Sequence, residues 1–151
     1  MHSYATFFQT PKGDLSRRET DPPNFAIEGI ELDRPYQKYA FVRRYFQELE
    51  YADLLIKQID AFRPDTVILA QIPPEAQTRV CRALDKTQTR VLFWVQDIYG
   101  IAIKRILQRK LRLIGRAIGS YYIWLERRLL RQSYEIIVNR KDYKDPQGVY
   151  E

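Results

Sequence analysis

The chain has 151 residues, 45% of them hydrophobic and 13% aromatic, and 25 Lys and Arg against 19 Asp and Glu give a net charge of +6. That is a single-domain length with enough apolar content to build a core. One cysteine, Cys81, and one histidine, His2 near the terminus, exclude an internal disulfide, a thiolate metal cluster and a histidine-dependent catalytic triad.

The opening "MHSYATFFQTPKGD" lacks the basic-then-apolar pattern of a signal peptide. No uncharged run approaches the ~20 residues needed to cross a bilayer, so a soluble intracellular domain is expected. Residues 3–8 read as a short aromatic strand broken by a Pro/Gly turn, and residues 17–24, with a Pro-Pro pair, as a loop. Residues 25–32 read as a second strand, in which Gly29 suggests a bulge or a close approach. From 39 to 62, Val42, Tyr45, Phe46, Leu49, Ala52, Leu55, Ile56 and Ile59 recur at helical steps and define one apolar face. "RPD" at 63–65 ends that helix, because a proline disfavours helix in the residue before it.

"TVILA" (66–70) and "RVLFWV" (90–95) are apolar without polar alternation, the mark of strands covered on both faces, and "YEIIVN" (134–139) is a third. Between them lie a helix opening on Pro73-Pro74 and two further helical stretches, about 102–113 and 114–132. Strand, helix, strand, helix, strand with buried strands predicts an α/β fold. It would be a Rossmann-like parallel sheet with right-handed crossovers and helices on both faces. Residues 1–139 would form this incomplete domain and 140–151 a linker or truncated tail.

Such sheets bind ligands beyond the carboxyl ends of their strands. Gln71 ends one strand and Gln96, Asp97 and Tyr99 follow the next, so these polar tips should share a rim. An aspartate is an anion at neutral pH in water. Asp97 could take a proton from an attacking hydroxyl or bind hydroxyls, but it could equally cap the helix that follows. Gln96 reads as a ligand contact or a satisfied loop amide, Tyr99 as a rim residue or packing, and Trp94 as core rather than a stacking platform. No phosphate-binding glycine motif is present; Lys12 in "TPKGD" could meet an anion or sit in a plain turn.

Residues 101–132 carry nine Lys and Arg and only Glu126 as an acid, a net +8, while the rest of the chain stands at −2. Lys104, Arg105, Arg109, Lys110, Arg112 and Arg116 make this segment a candidate anion or membrane contact. On the second stretch Ile114, Ile118, Tyr121, Leu125 and Leu129 form an apolar stripe, with Gly115 and Gly119 permitting close approach. An ordinary solvated helix face is the alternative, and nucleic acid is the other polyanion, though no helix-turn-helix or RNA-binding signature is present.

"FQTPKGDL", "KYAFVRRYFQELEYADLL", "RPDTVILAQIPPEAQ", "VLFWVQDIYGIAI" and "LERRLLRQSYEIIVN" together resemble the amino-terminal, acceptor-side domain of family 4 glycosyltransferases of the GT-B fold, of the kind that builds bacterial surface polysaccharides. The resemblance implies a half-enzyme that binds a lipid-linked or polysaccharide acceptor at the inner face of the cell membrane. It makes Asp97 the catalytic candidate, with Gln96, Tyr99, Gln71 and Lys12 around the acceptor. It implies no metal and no cofactor, but a nucleotide-sugar co-substrate held by a donor-binding domain or partner chain. The family's opening strand with its Gly-Gly loop, and its donor domain, have no counterpart in these residues, and Ser133-Tyr134 stands where the family usually has Ser-Asp. The expectation is therefore a fragment, split product or decayed copy that does not transfer sugar alone. A non-catalytic Rossmann-like module binding a membrane or partner is the competing reading.

Overall fold

The computed structural model describes residues 2–5, 17–37, 40–70, 72–95 and 99–138. The chain forms two compact units, Met1–Phe62 and Arg63–Glu151.

In the first unit, β1 (His2–Ala5) pairs in parallel with β2 (Ile27–Ile30), and α1 (Phe41–Phe62) follows and touches β2. Tyr4 stands opposite Gly29 in regular register, so the glycine marks no bulge. The buried face of α1 is rotated from the one its spacing predicts. Tyr51, Ala52, Leu55 and Ile59 are buried, whereas Val42 is 71% and Phe46 63% exposed, and the polar Gln47 and Glu48 turn inward instead.

Backbone demand explains that rotation. Residues 33–37 form no regular structure, so their amides and carbonyls need partners. Gln47 accepts from the Gln37 amide at 2.8 Å and donates to the Arg34 and Pro35 carbonyls, each at 3.1 Å. The Asp33 amide donates to Glu50 at 2.8 Å. Glu48 accepts from the Tyr36 hydroxyl at 3.0 Å and pairs with Arg44 at 3.0 Å. The helix ends where proline requires: Arg63 adopts a left-handed φ of 50° and Pro64 follows.

In the second unit, β3 (Thr66–Ala70), β4 (Arg90–Val95) and β5 (Glu135–Val138) form a parallel sheet in the order β3-β4-β5. Thr66 stands opposite Arg90 and Ala70 opposite Trp94, while Leu92 stands opposite Glu135. The crossovers are α2 (Pro74–Leu84) and α3 (Tyr99–Gln132), which touch each other. Right-handed crossovers advancing in one direction place both helices on one face. Leu69, Phe93 and Val95, which alternate onto one side, are buried. On the other side Ile68 is 55% and Trp94 37% exposed, so the expected double cover holds for one face, and Trp94 is not core.

The helical backbone of α3 runs unbroken for 34 residues, yet it is not straight. A Cβ on Gly119 would lie 2.6 Å from Lys104 Cα, and one on Gly100 would lie 2.9 Å from Ile123 Cα. A straight helix would hold residues 104 and 119 about 22 Å apart. The element therefore doubles back into two antiparallel arms, with the reversal around residues 111 and 112, close to the predicted break at 113.

Replacing Gln47 by Ala should cost about 1–3 kcal/mol, because orphaned amides and carbonyls keep their desolvation penalty. Phe46→Ala, though it removes a larger apolar group, should stay within roughly 0.5 kcal/mol because that ring is exposed. Urea unfolding of both variants checks the inversion.

Candidate functional site

Because β3, β4 and β5 are parallel and in register, their carboxyl ends at Ala70, Val95 and Val138 lie along the same border. Beyond that border α2 starts at Pro74 and α3 at Tyr99. Of the candidates at this rim, Gln71, Gln96 and Asp97 lie outside the described residues, as does Lys12. Tyr99 is the first residue of α3, and its side chain lies outside the described ones.

Two residues that spacing did not single out shape the rim. The first is Glu126, the lone acid of the basic segment, which is 5% exposed. Its Oε2 accepts from the Gly100 amide at 2.8 Å, a buried bond joining the start of one arm of α3 to the other arm. Gly100 is the second residue of α3, so Glu126 takes an amide that a side chain at the helix start would normally take. A single carboxylate among nine cations was the available signal, since an acid kept there needs a specific partner.

The second is Gln77, in the first turn of α2, fully buried with its Nε2 lacking any acceptor. The start of α2 has no side-chain cap either; Pro73 holds that position and Pro74 begins the helix. Nothing in the residue pattern marks a buried amide here, because glutamine is an ordinary helical surface residue.

The basic segment divides between packing and solvent. Lys104 is half-buried, its backbone pressed against Gly119. Arg105, Arg109, Lys110 and Arg112 lie on helical backbone of α3 with side chains outside the described ones, and Arg116 is exposed. The second arm buries Gly115, Gly119, Leu125, Glu126, Leu129 and Leu130. The apolar stripe is therefore divided: Leu125 and Leu129 are core, while Ile114, Ile118 and Tyr121, with Leu113 and Trp124, are exposed. Tyr121 stacks at a tilt on Trp124 with ring centroids 6.1 Å apart, and the Arg128 guanidinium lies 5.7 Å from the Trp124 ring. Arg131, one turn on, is also exposed. An aromatic and aliphatic stripe edged by arginines results, a form suited to an anionic, partly apolar surface.

Cys81 is a free, buried thiol. Burial, reinforced by the charge of Asp85, pushes its thiol up to about 11, and only the thiolate reacts. Among the described residues no cluster of acidic, histidine or cysteine side chains is arranged to hold a metal. No described helix is long and apolar enough to cross a membrane.

The chain matches no family model, no curated protein and no solved structure.

The doubling-back of α3 rests on Gly119. Gly119→Ala should lower stability by about 1–3 kcal/mol, since its methyl would meet Lys104 backbone and overpacking forces the arms apart. Ser120→Ala, exposed on the next position, should be neutral or slightly stabilising. Chemical denaturation of the pair separates packing from helix propensity.

Proposed function

We propose that this chain is the acceptor-side part of a GT-B glycosyltransferase resembling family 4, one that works at an anionic membrane face with a donor-binding domain or partner supplied separately. In this reading a nucleotide-sugar donor is held elsewhere, and Asp97 is the catalytic carboxylate that receives the proton of the acceptor hydroxyl as its oxygen bonds to the anomeric carbon and the bond from that carbon to the donor phosphate breaks, releasing the nucleotide. Gln96, Tyr99, Gln71 and Lys12 hold the acceptor, a lipid-linked or polysaccharide sugar.

The observation that carries the reading is the parallel register of β3 and β4, because doubly wound sheets bind ligands beyond their carboxyl ends and Asp97 follows β4 by two residues. Glu126 adds support. By taking the Gly100 amide it fills part of the capping role that would otherwise account for an aspartate just ahead of α3. The membrane side draws on the exposed Leu113, Ile114, Ile118, Tyr121 and Trp124 with Arg116, Arg128 and Arg131 around them. Each Lys or Arg near an anionic surface contributes about 1 kcal/mol. The same stripe also favours the second reading, a non-catalytic module that binds a membrane through α3.

One complementation experiment separates the two. Transfer by the isolated chain should be undetectable, and adding a donor-binding domain should restore it. Asp97→Ala should then cost about a hundredfold or more, the scale of a lost general base. Unaided turnover of a nucleotide sugar would contradict the proposed division of labour, and restored transfer indifferent to Asp97→Ala would remove that residue from the chemistry. In a parallel sedimentation assay, vesicles containing phosphatidylglycerol should retain the chain, and Trp124→Ala should weaken that retention several-fold. Retention on DNA without retention on vesicles would exclude the membrane role.

A further inference from the structure

Glutamine is a costly residue at position 77. Its side chain is 1% exposed, and its Nε2 is buried without an acceptor. A methionine of similar volume would fill the same space and strand no polar group. The other buried polar side chains described, Gln47, Glu48 and Glu126, all have partners. A buried donor kept without a partner in the chain points to an acceptor from outside it.

The place of that donor in the fold says where the acceptor sits. Gln77 is the fourth residue of α2, a helix of 11 residues. Side chains on a helix lean toward its amino end, so the Gln77 amide reaches back over the turn that opens at Pro74. That turn has donors of its own to satisfy. Pro73 and Pro74 carry no amide hydrogen, and the Gln77 backbone amide is spent on the Pro73 carbonyl at 2.9 Å. The amides of Glu75 and Ala76 remain, with no side-chain cap and no acceptor among the described residues. Pro74 and Ala76 are buried with Gln77, so the turn faces inward.

Three N–H donors, two main-chain and one side-chain, therefore belong to one helical turn just past the end of β3. The helix dipole adds partial positive charge there. A phosphoryl group, with three terminal oxygens, can accept from all three, whereas a carboxylate offers two oxygens. The half-exposed Glu75 in the same turn opposes a second negative charge, so a singly charged phosphate fits better than a dianion.

We propose that the start of α2 is a phosphate-binding site, in which the Glu75 and Ala76 amides and the Gln77 side-chain amide hold a phosphoryl group. This inference stands on α2 alone and does not depend on the glycosyltransferase reading.

Nuclear magnetic resonance on the full nitrogen-15-labelled chain tests it. Inorganic phosphate is titrated at constant ionic strength, with chloride as the balancing anion. The Gln77 side-chain amide signals and the Glu75 and Ala76 backbone signals should move together and saturate in the millimolar range or below. Gln77→Met should weaken binding about tenfold, the scale of one lost hydrogen bond to a charged group, without lowering the unfolding midpoint. Glu75→Gln should tighten binding several-fold. Glycerol 3-phosphate, titrated in parallel, distinguishes a phosphate ester from free phosphate by which of the two binds more tightly. No saturating shift at these three residues would overturn the proposal, as would shifts confined to Arg116, Arg128 and Arg131 of α3. Phosphate binding by Gln77→Met equal to that of the parent chain would overturn it as well.

Discussion

Parallel pairing of β3, β4 and β5 is the constraint from which the rest follows. Strands that run the same way must each begin at one border and finish at the other, so every connection has to carry the chain back along the sheet. Helices α2 and α3 make those returns and pack together on one face. The arrangement delivers three chain exits, after Ala70, Val95 and Val138, to a single border. Any polar residue placed just past a strand is thereby gathered there without a dedicated motif. Among the described residues of this unit, no helix covers the opposite sheet face, where Ile68 and Trp94 are exposed.

The second crossover does more than return the chain. A return of strand length needs only a short helix, and α3 spends 34 residues on it. The surplus is taken up by doubling back, and glycines allow it: at Gly119 the arms approach until backbone meets backbone at Lys104. Glu126 ties the arms at the other end, through the Gly100 amide. Once Gly115, Gly119, Leu125, Leu129 and Leu130 are committed to the interior, the aromatic and branched residues between them have nowhere to go but outward. The basic stripe is thus a consequence of which residues are small enough to form the inner seam.

Much of the fold was legible in the residues, and its misreadings have physical causes. Continuous apolar runs located β3 and β4, and prolines located the start of α2. The composition of a strand says that it can be covered, however, and not that the cover belongs to the same unit; Ile68 shows the difference. On α1 the three- and four-residue steps fit the apolar face from Val42 to Ile59, but the true inner face includes Gln47 and Glu48. Their partners are backbone groups of residues 33–37, which leave no trace in a hydrophobicity pattern. The stripe from Ile114 to Leu129 divides, Ile114, Ile118 and Tyr121 facing out and Leu125 and Leu129 inward, while Gly115 and Gly119, legible as points of close approach, line the inner seam. Of the candidate site, the shared strand border was legible, and Glu126 stood out only as the lone acid of a basic segment; its Gly100 partner and the buried Gln77 amide were not legible, because a buried polar side chain is defined by neighbours distant in sequence.

The measurement that bears most directly on this account is paramagnetic relaxation from a nitroxide at position 97, introduced as a cysteine in a Cys81→Ser background. If Asp97 stands at the carboxyl border of a parallel sheet, the amide signals of Ala70 and Val138 broaden more than those of Thr66 and Glu135. Stronger broadening at Thr66 and Glu135 would place Asp97 at the other border and contradict both the sheet-edge site and the role assigned to it.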